Sequence, residues 1–383
     1  MWKIIDEKSY LAKNLYNEAN YMIRQNFFET KQVIAYKDMD KIFQKSENYK
    51  KLGSQAGQQT LRLLDKNWKS FLKGIKKYEK LKGASFLGKP NIPKYKKKDG
   101  RSIVMIKNIQ CRIRDGTIYF SWKPLNSFSG IKTKVSGKLM QIRFVPCGGC
   151  YNMELVYETD IPETKQHNHL IAGIDLGVNN FVTMGNNIGI KPIVIKGGVI
   201  KSMNQYYNKK LASMRAGTNM AWNNRMQHLT DKRRNKLDTY MHKISKSVVQ
   251  YCKENNIDTL VIGKTNEWKQ NINMGTTNNQ NFVYIPYNKF IDQLKYKCEN
   301  VGIRFIETEE SFTSTTSFLD NESPIEKNSN KKRRIKRGLF KSNNGIFINA
   351  DLNAAYQIIK KVFPSAFGEG NRGCDLHPVS VKI

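Results

Sequence analysis

From about Ser9 to Leu81, apolar residues recur at every third or fourth position, a period that predicts helices. Leu11, Leu15, Ala19 and Ile23 share one face of "YLAKNLYNEANYMIRQNFF". Leu61, Leu64, Trp68, Phe71 and Ile75 do the same in "TLRLLDKNWKSFLKGIKKYEKL". From about Ala84 the texture changes. A Gly/Pro/Lys connector, "GASFLGKPNIPKYKKKDGRS", has prolines that favour an extended path. The short alternating runs "SIVMIK", "CRIRDGTIYFSW", "LMQIRFVP" and "YNMELVYE" follow, with Asp115-Gly116 as a hairpin signal between two of them. They predict a small β domain of barrel-like form. "VYETDIPETKQHNH" then reads as a polar linker.

From about Leu170 the apolar runs are continuous and helical stretches lie between them. "LIAGIDLG" and "FVTMG" predict a hairpin, "IKPIVIKGG" a third strand, and Ser202 to Glu254 one long helical stretch. "DTLVIG" and "IRFIET" are two further strands, each preceded by a helical stretch. Antiparallel strands followed by strands with helical crossovers give the order of the ribonuclease-H fold, an opening that the actin-like fold shares. The fold class expected is therefore α+β and α/β, multidomain. Its parts are a helical region over 1–83, a β-rich region and linker over 84–165, and a ribonuclease-H-like domain over 166–383 with a basic insertion at 321–345.

Charge narrows the function. The 65 Lys and Arg face 32 Asp and Glu, a formal charge of +33 on 383 residues. Such self-repulsion opposes compaction unless a polyanion neutralises it, which points to nucleic acid. No apolar run approaches the ~20 residues of a spanning helix, and "MWKIIDEK" is no signal peptide, so a cytoplasmic protein without a membrane partner is expected. Candidate contacts are Lys69, Lys73, Lys76 and Lys77 on the second helix and Lys96, Lys97 and Lys98 in the connector. Six scattered cysteines make no disulfide framework. Only "CGGC", Cys147 to Cys150, has ligand spacing, and without a second pair it reads as a hairpin turn with two incidental thiols.

Asp175 ends the apolar run of "AGIDLGVNNFVTM". A lone acid at that place serves Mg²⁺ in metal-dependent nucleases or faces nucleotide phosphate in actin-like ATPases. The far end of the chain chooses between them. In "INADLNAAYQIIKKV", Asn349 is positioned as an N-cap, Asp351 falls in the first turn, and Leu352, Ala355, Tyr356 and Ile359 form the apolar face. In a ribonuclease-H fold that helix brings its acid beside the first strand's acid, where two Mg²⁺ ions activate water and steady the leaving oxygen of a phosphodiester. An ATPase would need later glycine-rich phosphate loops, and none is convincing.

The set "GIDLGVNNFVTM", "NQYYNKKLASM", "TLVIGKTNEWKQNINMG", "NNQNFVYIPYNKFIDQLKYKCENVGI", "EESFTSTTSFLD", "RIKRGL" and "NADLNAAYQIIKK" resembles the TnpB proteins of insertion sequences, relatives of type V CRISPR effectors. The resemblance runs from about Lys13 to the C-terminus. It implies a prokaryotic RNA-guided endonuclease for double-stranded DNA, nucleoid-associated when loaded. A helical recognition lobe and a wedge would hold the hybrid, and a RuvC-type domain would cut with two Mg²⁺, Mn²⁺ being able to substitute. The guide RNA would come from the transposon end, and a short adjacent motif in the target DNA would license binding. The oligomeric state stays open.

Three departures matter. The four zinc cysteines usual in the family are missing between Ser311 and Ala350, so no zinc ribbon is expected. The basic run Lys331, Lys332, Arg333, Arg334 and Arg337 stands there instead and is expected to contact nucleic acid. Gly263 stands where the glutamate after the fourth strand is usual. Glu310 is chosen as the relocated third acid, beside Asp175 and Asp351, with Glu309 as alternative and Glu267 a distant third; Glu307 reads as a solvent-face residue. The family also usually opens on a strand, whereas this chain starts nearly at its first helix, so an incomplete wedge or a misassigned start is expected. A guide-directed DNA-binding repressor, catalytically weak or inactive, is the alternative function. A transposase acting by itself is disfavoured, because no Tyr with a His-hydrophobic-His pair is present.

Overall fold

A computed structural model describes residues 2–81, 88–160, 162, 168–216, 222–264, 285–368 and 375–383. The chain divides into two compact units, Met1–Asp160 and Ile161–Ile383.

In the first unit the expected helical region is four helices: α1 (Trp2–Thr30), α2 (Tyr36–Phe43), α3 (Glu47–Leu52) and α4 (Ser54–Lys80). Leu15, Ala19 and Ile23 of α1 and Leu61, Leu64 and Trp68 of α4 are all fully buried. The Trp68 indole donates to Asn20 Oδ1 at 2.9 Å, which satisfies the ring's buried N–H. The β segment forms two three-stranded antiparallel sheets. One is β1 (Val104–Lys107), β5 (Lys138–Cys147) and β6 (Cys150–Glu158); the other is β2 (Cys111–Arg114), β3 (Thr117–Phe120) and β4 (Ile131–Lys132). Asp115 and Gly116 turn β2 into β3 with φ of 47° and 65°, the left-handed pair that a two-residue hairpin requires. "CGGC" is likewise the turn between β5 and β6, with Cys147 opposite Cys150.

The helical and β segments do not have separate interiors, because Ile106, Ile118, Phe120 and Ile142 join the helices' core. The connector runs along α1. Its prolines cannot donate to a sheet, and α1 takes up its carbonyls instead: Lys13 donates to Lys98 O, Asn17 to Lys96 O and Asn20 to Pro93 O at 2.7–3.0 Å. Most of the expected linker after β6, at 161 and 163–167, lies outside the described residues.

The second unit is built on a six-stranded sheet in the order β11-β10-β7-β8-β9-β14. Its strands are β7 (Ile171–Leu176), β8 (Asn180–Asn186), β9 (Ile193–Lys196), β10 (Thr259–Gly263), β11 (Arg304–Thr308) and β14 (Val379–Val381). β7, β8 and β9 form an antiparallel meander, and β10 and β11 add in parallel on the side of β7. That is the ribonuclease-H order, to which β14 adds a strand beyond β9. The single long helix expected over 202–254 is two, α5 (Gly198–Arg215) and α6 (Asn224–Glu254). The signal overlooked is Asn223, whose side chain caps α6 by accepting from Met226 N. α7 (Tyr287–Glu299) crosses to β11, and the short hairpin of β12 (Leu339–Lys341) and β13 (Phe347–Asn349) leads into α8 (Ala350–Val362).

α8 lies directly on the sheet because three neighbouring strands offer glycine beneath it. A Cβ at Gly173 would meet Ala355 O at 2.5 Å, one at Gly185 the Tyr356 ring at 2.7 Å, and one at Gly263 Ile358 at 2.7 Å. No side chain would fit under the helix at any of the three.

The segment where zinc cysteines are usual is joined to α8 by polar side chains. Asn353, fully buried, donates to Thr316 O at 2.8 Å and accepts from Phe318 N at 2.9 Å. Gln357 donates to Glu322 O, and Arg333 donates to both Glu322 oxygens at 2.7 Å. Phe318 stacks on Tyr356 at 4.5 Å. Asn353→Ala would orphan two buried backbone groups at about 1–3 kcal/mol each. It should lower the melting temperature by several degrees, whereas a zinc-selective chelator should leave the wild-type melting curve unmoved.

Candidate active site

Asp175 sits near the end of β7, opposite Thr183 of β8. Asp351 is in the first turn of α8, and the Asn349 side chain accepts from Asp351 N and Leu352 N at 3.1 and 3.0 Å. Glu310 lies two residues beyond β11, and its carboxylate fills the space over Gly263. A Cβ at Gly263 would stand 3.3 Å from Glu310 Oε2. A strand end, a helix start and a strand exit therefore bring three acids to one edge of the sheet.

Their charges act on one another. Asp175 keeps partial exposure as a residue, but its carboxyl is deeply enclosed. Burial pushes its pKa well up, the charges of Asp351 and Glu310 push it further, and only Arg334 opposes them. Tyr287 is raised for the same reasons, burial first and then Asp175 and Glu310; its hydroxyl donates to Gly177 O at 3.2 Å. Asp175 and Asp351 border a cleft of about 550 Å³, lined also by Asn180, Lys196, Ser314, Arg334 and Arg337.

The acids do not form a ready-made cage: among the described residues, no three His, Cys, Asp or Glu side chains close on one point tightly enough to hold a metal. Asp351 is held by other groups. Asn180 donates to its Oδ2 at 2.6 Å, Lys196 donates to Asn180 Oδ1 at 2.9 Å, and Arg334 stands 3.4 Å from its Oδ1. The donor set is nevertheless right for a hard divalent cation. Three carboxylates act on one another with Arg334 opposing their charge, and Mg²⁺ and Mn²⁺ favour oxygen ligands.

The alternative acids face elsewhere. Glu309 is exposed, accepts from Ser311 at 2.5 Å and lies 4.0 Å from Lys361. Glu307 pairs with Lys264 at 2.7 Å, and Glu267 lies outside the described residues.

The basic candidates are not equivalent. In the run at 331–337, Lys331 and Lys332 are exposed, Arg333 is committed to Glu322, and Arg334 and Arg337 face the acid cleft. Lys69 is paired with Asp65 at 2.7 Å, while Lys73, Lys76 and Lys77 are exposed. Lys97 and Lys98 are exposed as well. Lys96 is half-buried, with its ammonium 4.8 Å above the Tyr16 ring, where desolvation lowers its pKa. Sequence reasoning gave no role to Asn180, Lys196 or Tyr287. Asn180 follows Asp175 in "DLGVNNF", and that closeness was the available signal.

Residues 154–269 match the OrfB_IS605 family model, described as a probable transposase, and residues 287–358 match the Cas12f1-like TNB domain. No curated protein matches. Among solved structures, a cryo-EM Cas12f1–sgRNA–target DNA complex is 16% identical with a TM-score of 0.39, covering 93% of both chains. A cryo-EM CRISPR–Cas12f ternary complex is 13% identical with a TM-score of 0.42, covering 93% of this chain and 81% of that one. Among the described residues, no helix is long and apolar enough to cross a membrane.

Proposed function

We propose that this chain, which resembles TnpB proteins and carries segments matching the OrfB_IS605 and Cas12f1-like TNB models, is an RNA-guided endonuclease that hydrolyses double-stranded DNA. The observation that carries the reading is that Asp175 and Asp351 line one cleft at the edge of a ribonuclease-H sheet, with Glu310 close enough to act on the Asp175 charge, and that the other charged groups lining the cleft are cations. Asp175, Asp351 and Glu310 would hold Mg²⁺ or Mn²⁺. When bound, the ions supply an activated water and charge stabilisation at the phosphorus. The remaining tasks belong to the chain. Asn180, itself anchored by Lys196, orients the Asp351 carboxylate. Arg334 and Arg337 offer guanidiniums to the scissile strand's phosphates at the cleft, in the bidentate manner that favours arginine. Its partners would be a guide RNA from the transposon end and target DNA carrying a short adjacent motif.

A second reading, a guide-directed DNA-binding repressor, is favoured by one contact: Arg334 neutralises Asp351 and competes with a cation there. One experiment separates the two. The chain, co-expressed with its flanking DNA so that guide RNA is retained, is given plasmid target in Mg²⁺ and in Mn²⁺. Cleavage lost in Asp175→Ala supports the nuclease; binding without cleavage in either metal supports the repressor.

Salt provides another test. Each phosphate contact contributes about −0.7 to −0.9 to the log–log slope of affinity against salt. Neutralising Lys331, Lys332 and Arg337 together should flatten the slope for duplex DNA by about 2.7 if each meets a phosphate. Lys96→Gln should leave it unchanged, because that ammonium lies over Tyr16. Filter binding over a salt series measures both.

A further inference from the structure

A second concavity lies between α5 and α6, and none of its lining residues belongs to the acid cleft. Its volume of about 360 Å³ falls at the lower end of small-ligand sites, which run from about 300 to 1,000 Å³. Met203 and Leu229 give it an apolar side, and Tyr206 stands at it with 59% of its surface exposed. An aromatic ring left this open contributes little to the core.

The cations around it are unusually placed. Lys232 and Lys236 are four apart on α6, so they share a face and repel each other. Neither has an acidic partner among the described residues. The nearby acids are engaged elsewhere, Asp231 by Arg234 at 3.0 Å and Asp238 by Lys289 at 2.6 Å. Arg233 is fixed rather than mobile. Its Nε donates to Asn204 Oδ1 at 2.9 Å, and its guanidinium lies 4.8 Å over the Tyr207 ring. A positioned guanidinium, two unneutralised lysines and an exposed ring beside a concavity form an arrangement suited to a phosphate with a base attached.

We propose that this groove is a nucleotide site for single-stranded nucleic acid: a base stacks on Tyr206 while flanking phosphates lie against Lys232 and Lys236. Stacking accepts any base, so the site reads the presence of an unpaired nucleotide rather than its identity. The shared chemistry is that of RNA and DNA strands alike, and the proposal does not depend on the acids cutting anything.

The test uses the full chain with a short oligouridylate and its deoxythymidylate counterpart, each carrying one 5-iodinated base, and with an abasic phosphodiester of the same length. Irradiation should crosslink the iodinated base into the peptide containing Tyr206. Tyr206→Ala should abolish that crosslink and weaken the base-bearing probes about five- to a hundredfold, with the abasic probe unaffected. Tyr206→Phe, which keeps the ring, should bind as wild type. Lys232→Gln with Lys236→Gln should weaken all three probes and lower the salt slope by about 1.4. Preference for the ribo or the deoxy probe names the strand that uses the site. A crosslink mapping elsewhere, unchanged affinity in Tyr206→Ala, or an equal loss for the abasic probe would overturn the proposal.

Discussion

Asp175→Asn is expected to abolish metal-dependent cleavage and, at the same time, to raise the melting temperature of the metal-free protein. The two effects share a cause. The Asp175 carboxyl is enclosed, and burial, Asp351 and Glu310 all disfavour its charge. Without a divalent ion only Arg334 opposes that repulsion. Asparagine keeps the shape and removes the charge, so it relieves the folded state and removes a ligand. Loss of metal-held charge stabilisation costs several kcal/mol of the barrier, a rate drop of about 10³-fold or more. Each kcal/mol of relieved repulsion should raise the melting temperature by about 2–4 °C in a unit of this size.

The pH dependence has a definite sign. A carboxyl whose folded pKa is raised binds its proton more tightly when folded. Its contribution to stability is therefore complete below the ordinary value of 3.8 and is lost as pH rises through the folded value. Metal-free wild type should lose stability across that window, and Asp175→Asn should lose less. Calorimetry in chelator at several pH values measures this, and target-binding assays check that RNA and DNA binding persist. A variant that melts earlier than wild type at neutral pH would show that Asp175 is held by partners that favour its charge.

Much of this unit was legible because its elements have short-range signatures. The cap at Asn349, the acid in the first turn of α8 and the acid near the end of β7 are all local patterns, and their meeting follows from the sheet order. What was not legible is non-local. Asn180 reaches Asp351 across 171 positions of sequence, and Lys196 reaches Asn180 from the next strand; no period in either segment announces the contact. The glycines beneath α8 carry no pattern until β7, β8 and β10 are paired side by side. The place of Lys96 was hidden for a related reason. A lysine in a basic run reads as solvated, and only the path of the connector along α1 turns it onto Tyr16. The basic run at 331–337 was read as one surface, yet the fold spends Arg333 on Glu322 and brings Arg334 to Asp351.

Glu310→Gln should reduce cleavage by about 10²-fold or more at unchanged target binding, while Glu309→Gln should cleave almost as wild type. The reasoning rests on Gly263. A carboxylate rising from the end of β10 would need room that Glu310 and Ile358 occupy: a Cβ there would stand 2.7 Å from Ile358 Cδ1 and 3.2 Å from Glu310 Cβ. Glycine at the end of β10 and glutamate after β11 fit together: Glu310 takes the space that a side chain at Gly263 would need, which is why it is expected to supply the third carboxylate from the neighbouring strand. Glu309 cannot serve from its place, since its carboxylate is exposed and turned toward Ser311 and Lys361. Gly263→Ala alone should overpack the site, costing about 1–3 kcal/mol and displacing Glu310. The stronger test moves the acid. Gly263→Glu combined with Glu310→Ala and Ile358→Val clears the space and supplies a carboxylate from β10, so it should regain part of the activity that Glu310→Gln loses. Cleavage lost in Glu309→Gln and kept in Glu310→Gln would make the neighbour the ligand. Normal cleavage in both would mean that the third acid does not come from the exit of β11 at all.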